Sequence, residues 1–154
     1  MIDARRTVLP DLPHVAKAMR PEDRAEIVAA SGESPRQALF RGYIASDECY
    51  TVYRVSDGLP LAVFGNKVID PKLSAIVWLL ASTDLLQHKW EFLRKSREWV
   101  ERFQDKVPLL YNAVDQRNAL HIRWLSWVGF SFIGTVRGRN NEPFIEFARL
   151  RCRD

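Results

Sequence analysis

The side chains able to carry a proton or hold a polar ligand gather in residues 107–134, VPLLYNAVDQRNALHIRWLSWVGFSFIG. His121 carries an imidazole that ordinarily titrates near neutrality, which makes it a candidate acid or base. Tyr111, at the end of the apolar run that opens this stretch, is the nearest phenol. Asn112 and Asn118 follow it and offer amide donors and acceptors. A second polar group, Ser82-Thr83-Asp84, closes an apolar run upstream. It reads as a helix start, with Thr83 as cap and Asp84 in the first turn. His121 stands between Leu120 and Ile122, and such a helix histidine also reads as a structural or surface residue.

The elements that must position these groups follow from periodicity and punctuation. Residues 107–111 read as a strand ending at Asn112, and Asn118 stands where its side chain can cap a helix. Gly129 suits the left-handed residue that ends that helix, with Phe130 packing back beneath it. Ile122, Leu125 and Gly129 recur at helical spacing, and Leu120, Trp124, Trp127 and Val128 widen the apolar face. Upstream, residues 7–9 read as a short first strand, and 12–19, 21–30 and 34–44 as helices. The last two carry Pro21 and Pro35 at their first positions. Residues 49–55 and 61–69 form a hairpin about Ser56-Asp57-Gly58. SAIVWLLA (74–81) is a strand apolar on both faces. Residues 83–103 read as one long helix with Leu86, Trp90, Leu93, Val100 and Phe103 inward. A final hairpin, 130–136 with 144–150, turns at Asn140-Asn141, and Pro143 opens its second strand. The fold class expected is mixed α/β, with helices on the faces of one sheet.

The order strand, Asn, helix, Gly129-Phe130, strand resembles the late motif of the GNAT (GCN5-related N-acetyltransferase) superfamily. NAVDQRNALHIRWLSWVGF (112–130) and LPLAVFGN (59–66) resemble, more narrowly, the internal virion (core) protein A branch of T7-like podoviruses. The resemblance implies one GNAT-like domain over 1–154, a central, mostly antiparallel mixed sheet flanked by helices, and acetyl-CoA as cofactor. It implies that strands 74–81 and 107–112 splay to admit the pantetheine arm. Leu80, Ala81, Ser82, Thr83, Asn112 and Asn118 would then contact the cofactor, with the pyrophosphate on the turn at Ser82-Thr83-Asp84. The chain departs from the pattern in two places. No glycine lies between 78 and 90, where backbone should approach phosphate, and Asp84 puts a negative charge at the anion site. The late-helix tyrosine that returns a proton to CoA is replaced by Leu125, which leaves His121 and Tyr111 as candidates for that role.

Composition narrows the remaining classes. The chain has 154 residues, 47% apolar, enough for one real core. No apolar run approaches membrane-spanning length, and the N-terminus lacks a signal pattern, so a soluble protein made in a cytoplasm is expected. Cys49 and Cys152 are too few for a disulfide framework, and His14, His88 and His121 are too scattered for a metal centre. The net charge of +4 fits a mixed solvated surface or an acidic partner, and no nucleic-acid motif is present.

Three functions follow from these features. The first is a phage virion or assembly component, partnered by phage structural proteins, in which acetyl-CoA chemistry is weakened or lost. The second is a working N-acetyltransferase acting on a host or phage protein, and the third a basic module that docks on an acidic host protein. The host cytoplasm, with or without the virion, is the expected location. Trp99 and Trp127 are candidates for an oligomer or partner interface.

Overall fold

The computed structural model describes residues 1–151; Cys152, one of the two cysteines above, lies outside them. The elements run β1 (Ile2–Arg6), α1 (Asp11–Lys17), α2 (Pro21–Ala30), α3 (Pro35–Ala45), β2 (Glu48–Arg54), β3 (Pro60–Asp70) and β4 (Ser74–Ala81). After a 3-10 segment (Thr83–His88) come α4 (Lys89–Lys106), β5 (Leu109–Asp115), α5 (Ala119–Val128), β6 (Ser131–Arg137) and β7 (Pro143–Leu150). One seven-stranded sheet has the order β1-β2-β3-β4-β5-β7-β6. Every pair is antiparallel except β4 with β5. The mixed, mostly antiparallel sheet expected from the sequence is therefore the fold.

The sheet separates two cores. On one face α4 and α5 bury Phe92, Trp99, Phe103, Leu125 and Val128 against Phe64, Leu110 and Phe147. Phe64 stacks on Trp99 at 5.1 Å, and Phe92 on Trp124 at 5.4 Å. On the other face α1 and α3 pack Leu12, Val15, Met19 and Leu39 on Val63. Each such side chain contributes about 1.5–3 kcal/mol on leaving water. Ser34 caps α3 as the sequence indicates. The Gln37 N–H donates to Ser34 Oγ (3.2 Å) and the Ser34 N–H to Gln37 Oε1 (2.9 Å), a reciprocal box.

Five expectations are corrected. The first strand is Ile2–Arg6 rather than 7–9, because the Asp11 N–H returns to Val8 O and turns the chain there. The long helix does not begin at Thr83. The Leu85 N–H bonds Ser82 O, three residues back, and six residues follow a tighter winding before α4 starts at Lys89. That winding rotates the helical face, so Leu86 (41% exposed) and Trp90 (66%) point outward while Phe92, Ser96 and Trp99 turn in. Trp99 is therefore core, and of the two proposed interface tryptophans only Trp127 is at the surface, beneath the Arg97 guanidinium. Finally, β5 continues three residues past Asn112, paired with β7 along its whole length.

Candidate functional site

The parallel pairing of β4 with β5 is short. It matches Ser74, Ala75 and Ile76 with Leu109, Leu110 and Tyr111, and then the strands part. Asn112 makes the last bridge, its Nδ2 donating to Val77 O at 2.8 Å. Beyond it the Leu79 backbone N–H and C=O face the gap, since in the antiparallel β3–β4 register alternate residues turn away from β3. This opening explains why β4, apolar from Ala75 onward, is only half-buried from Val77 to Leu80.

Two cavities meet there. The first, of about 470 Å³, passes through the opening. Glu26, Ser31, Gly42 and Trp78 line it toward α2 and α3, and Phe92, Trp99, His121 and Trp124 toward α4 and α5. The second, of about 330 Å³, lies against the end of β4, between the 3-10 segment, the start of α4 and α5. Its wall includes Leu85, Lys89, Trp90, Arg123 and Trp127. Leu79, Phe92, His121 and Trp124 line both. Volumes of this size suit small-molecule ligands.

A buried polar network closes the far end of the gap. Arg20 and Asp23, 6% and 2% exposed, form an ion pair at 3.1 Å at the start of α2. Asp23 Oδ2 accepts the Ala81 N–H (3.0 Å), and Ala81 O accepts the Arg20 N–H (2.9 Å). Asn118 supplies the third side. Its Nδ2 donates to Asp23 Oδ1 (3.0 Å), and its Oδ1 accepts from Arg20 Nη2 (3.3 Å). Asn118 does begin α5, but its side chain makes no cap hydrogen bond. It is a tie between α2 and α5, which corrects the capping role read from the sequence. At the other end of α5, Gly129 is left-handed (φ 99°) and the Phe130 N–H reaches Leu125 O, as that helix end requires.

Glu26 is the residue that sequence reasoning missed. Its Oε1 accepts the Asp115 N–H (2.8 Å) and Asn118 Nδ2 (3.4 Å) on the first cavity's wall. Burial, with the charges of Asp23 and Asp115 adding, pushes its carboxyl up to about 7. Only the spacing of Asp23 and Glu26, one helical turn apart on the same side, hinted at this, and acidic residues early in a helix have an ordinary explanation.

The expected site residues fall into distinct places. His121 is buried between the two cavities, 5.2 Å from the Trp124 ring, and burial lowers its imidazole to about 4, so it is neutral at pH 7. Tyr111 sits in the paired part of the seam and is absent from both cavity walls. Leu80 lines the first cavity and Ala81 the second, and Asn112 and Asn118 flank the opening. The backbone N–H groups of the Ser82-Thr83-Asp84 turn are all taken by other partners. The Ser82 N–H donates to Leu61 O and the Thr83 N–H to Ala18 O, while the Asp84 N–H donates to Ser82 Oγ. Positive charge on the second cavity instead comes from Lys89 and Arg123.

No family model matches the chain, and no curated protein does. Solved structures match over nearly the whole chain. A GNAT-family acetyltransferase from Bacillus anthracis shares 10% identity, covers 97% of this chain and 94% of its own, and superposes with a TM-score of 0.71. The ribosomal-protein-S18-alanine N-acetyltransferase from Escherichia coli shares 15% identity over 100% of this chain and 97% of its own, TM-score 0.69. The aminoglycoside acetyltransferase AAC(6')-Ib, solved with coenzyme A, shares 17% over 98% of this chain and 95% of its own, TM-score 0.67. A seven-stranded mixed sheet parted between β4 and β5, superposing at this level on acetyltransferases of such different names, is the GNAT fold.

Proposed function

We propose that this chain is an acyl-CoA-dependent N-acyltransferase in which Glu26 is the general base. The observation that carries the reading is the meeting of two cavities at Leu79, with the Glu26 carboxyl held near neutrality on one wall. One cavity suits an acceptor amine and the other a thioester, and holding both in register supplies most of what the reaction needs. Bound acyl-CoA would supply an activated carbonyl.

The chain's own groups divide the remaining work. The free Leu79 backbone offers strand-like hydrogen bonds to an amide-bearing arm. Lys89 and Arg123 offer charge to phosphate. With a pKa of about 7, Glu26 takes the proton of an incoming ammonium and leaves a neutral amine, whose lone pair forms the C–N bond as C–S breaks. The nitrogen then sheds its second proton to the thiolate. His121, neutral at pH 7, carries no imidazolium proton to donate and so is not the acid that protonates the thiolate.

The Ser82-Thr83-Asp84 turn, its backbone N–H groups taken, favours a second reading, in which the fold serves as a scaffold. There the resemblance to the phage branch would define the role: a virion or assembly component, in the host cytoplasm or the particle. Its phage or host partner would dock on exposed Trp90 and Trp127. One experiment separates the two. The purified protein is mixed with acetyl-CoA and a panel of primary amines, and CoA thiol release and acetylated product are followed. Amine-dependent release that Glu26→Gln reduces by about two orders of magnitude supports the enzyme. No release, with no calorimetric binding of CoA or acetyl-CoA, supports the scaffold.

A further inference from the structure

Three carboxylates cluster where α2 meets β5 and α5, and they are not alike. Asp23 is paired with Arg20 (3.1 Å) and Asp115 with Arg117 (2.6 Å). Among the described residues Glu26 has no cationic partner; its hydrogen bonds come from a backbone N–H and an asparagine amide, both neutral. The other charged side chains on its cavity's α2–α3 side are already engaged, Arg41 with Glu33 at 2.8 Å and Lys67 with Asp47 at 3.9 Å. A carboxylate beside two others, without a counter-ion and facing a cavity, is complementary to a cation.

The same cavity has a fixed aromatic wall. Trp78 lies in a notch formed by two glycines. A Cβ on Gly42 would stand 2.7 Å from Trp78 Cζ2, and one on Gly65 3.0 Å from Trp78 Nε1. The indole N–H donates to Ser46 Oγ at 2.8 Å, which fixes the ring's rotation. Ile27, Ala38, Ala45 and Leu80 line the cavity with it. Nearby groups therefore hold a half-buried indole in one orientation, packed against the α1–α3 core while it lines the cavity.

We propose that this cavity takes a primary amine carried on a flat apolar body, with the ammonium at Glu26 and the body against Trp78. Highly hydroxylated or polycationic amines are excluded, because the wall offers one free carboxylate and few polar partners. The fate of the bound amine rests on the acyl-transfer reading; its binding does not.

Calorimetric titration of the unmodified protein with tryptamine, tryptophol, spermidine and kanamycin, without acyl-CoA, tests the proposal. Tryptamine should bind, and tryptophol, which lacks the ammonium, about ten- to a hundredfold more weakly. Spermidine and kanamycin should be weaker than tryptamine. In Glu26→Gln, which keeps the side chain's shape, the preference for tryptamine over tryptophol should vanish. Equal or tighter binding of spermidine or kanamycin overturns the proposal. So does a tryptamine preference that survives in Glu26→Gln, or the absence of any tryptamine binding. Tryptamine binding without acetyl transfer would sink the enzyme reading alone, and transfer to spermidine without tryptamine binding would sink this proposal alone.

Discussion

The two halves of the β4–β5 seam make opposite use of one strand. From Ser74 to Ile76 the strands form a backbone ladder, closed by hydrogen bonds that any sequence could make. From Val77 to Ala81 the ladder is replaced by side chains: Asn112 at Val77 O, then Asp23 at the Ala81 N–H. The ladder half needs only apolar residues that fit a sheet. The open half needs particular polar groups, because each backbone N–H and C=O that loses its strand partner must find another or remain unsatisfied. An opening in a sheet therefore has a chemical signature, a buried polar network, that a closed seam lacks.

The sharpest way to break that comparison is Asp23→Ala. It removes the acceptor for the Ala81 N–H and leaves the buried Arg20 with only the exposed Glu22 carboxylate, at 3.5 Å. Removing one partner of a buried ion pair typically costs 3–5 kcal/mol, so a loss of about 4 kcal/mol is expected in denaturant melts. Leu110→Ala, in the ladder half, should cost a similar amount, about 2–5 kcal/mol, but for a different reason, cavity formation in the core. The two differ in their coupling to Arg20. Buried charge imbalance is what Asp23→Ala creates, so its cost should change with Arg20 also replaced, whereas the Leu110 cost should not. Independence of the Asp23 effect from Arg20 would mean that the network is not what holds the open half.

The open half should also give the protein opposing pH responses. Glu26 is raised from 4.5 to about 7 in the folded state. Between those values the folded chain holds a proton that the unfolded chain has released, so this group's contribution falls as pH rises from 4.5 to 7. His121 is lowered from 6.5 to about 4. Between those values the unfolded chain binds the proton instead, so its contribution is lost as pH falls from 6.5 to 4. Across the shared window the two oppose, and the parent protein should show a nearly flat response from this pair. Glu26→Gln should unmask stability that rises with pH there. His121→Phe should unmask stability that falls with pH. Each slope is at most about 1.4 kcal/mol per pH unit. Parallel pH profiles for all three proteins would remove both groups from the account.

Most of the scaffold was legible from the chain, and the site much less so. SAIVWLLA gave the bounds of β4, and Pro21, Pro35 and Gly129 fixed helix ends, because apolar runs, prolines and glycines act through local sterics. The start of α4 was misplaced, since a Ser82 hydroxyl taking the Asp84 N–H favours either a 3-10 or an α turn, and packing decides. The opening was expected only through the resemblance to the superfamily, and Leu80, Ala81 and Asn112 do stand beside it. Its chemistry was hidden because it is long-range. Asn118 meets Asp23 across 95 residues and Asp115 meets Glu26 across 89, and no local pattern encodes such a pairing. His121 was a visible candidate, but only burial shows that it is neutral.

Asn112→Ala gives the smallest effect and locates the boundary between the halves. It removes the Nδ2 bond to Val77 O and also the Oδ1 acceptor for the Ala113 N–H at 2.8 Å. Two side-chain hydrogen bonds at a partly exposed site should together cost about 1 kcal/mol. The effect should be local, read by native-state hydrogen exchange as faster exchange of the Ala113 amide. The amide of Tyr111, which by strand alternation faces β4 in the ladder, should keep its protection, because its opening follows the global unfolding of the core around Leu110. Equal acceleration at Tyr111 would mean that the seam opens as one unit and that Asn112 closes the ladder rather than ending it. Acceleration confined to Ala113 would mark Val77 as the point where backbone pairing stops and the ligand's share of β4 begins.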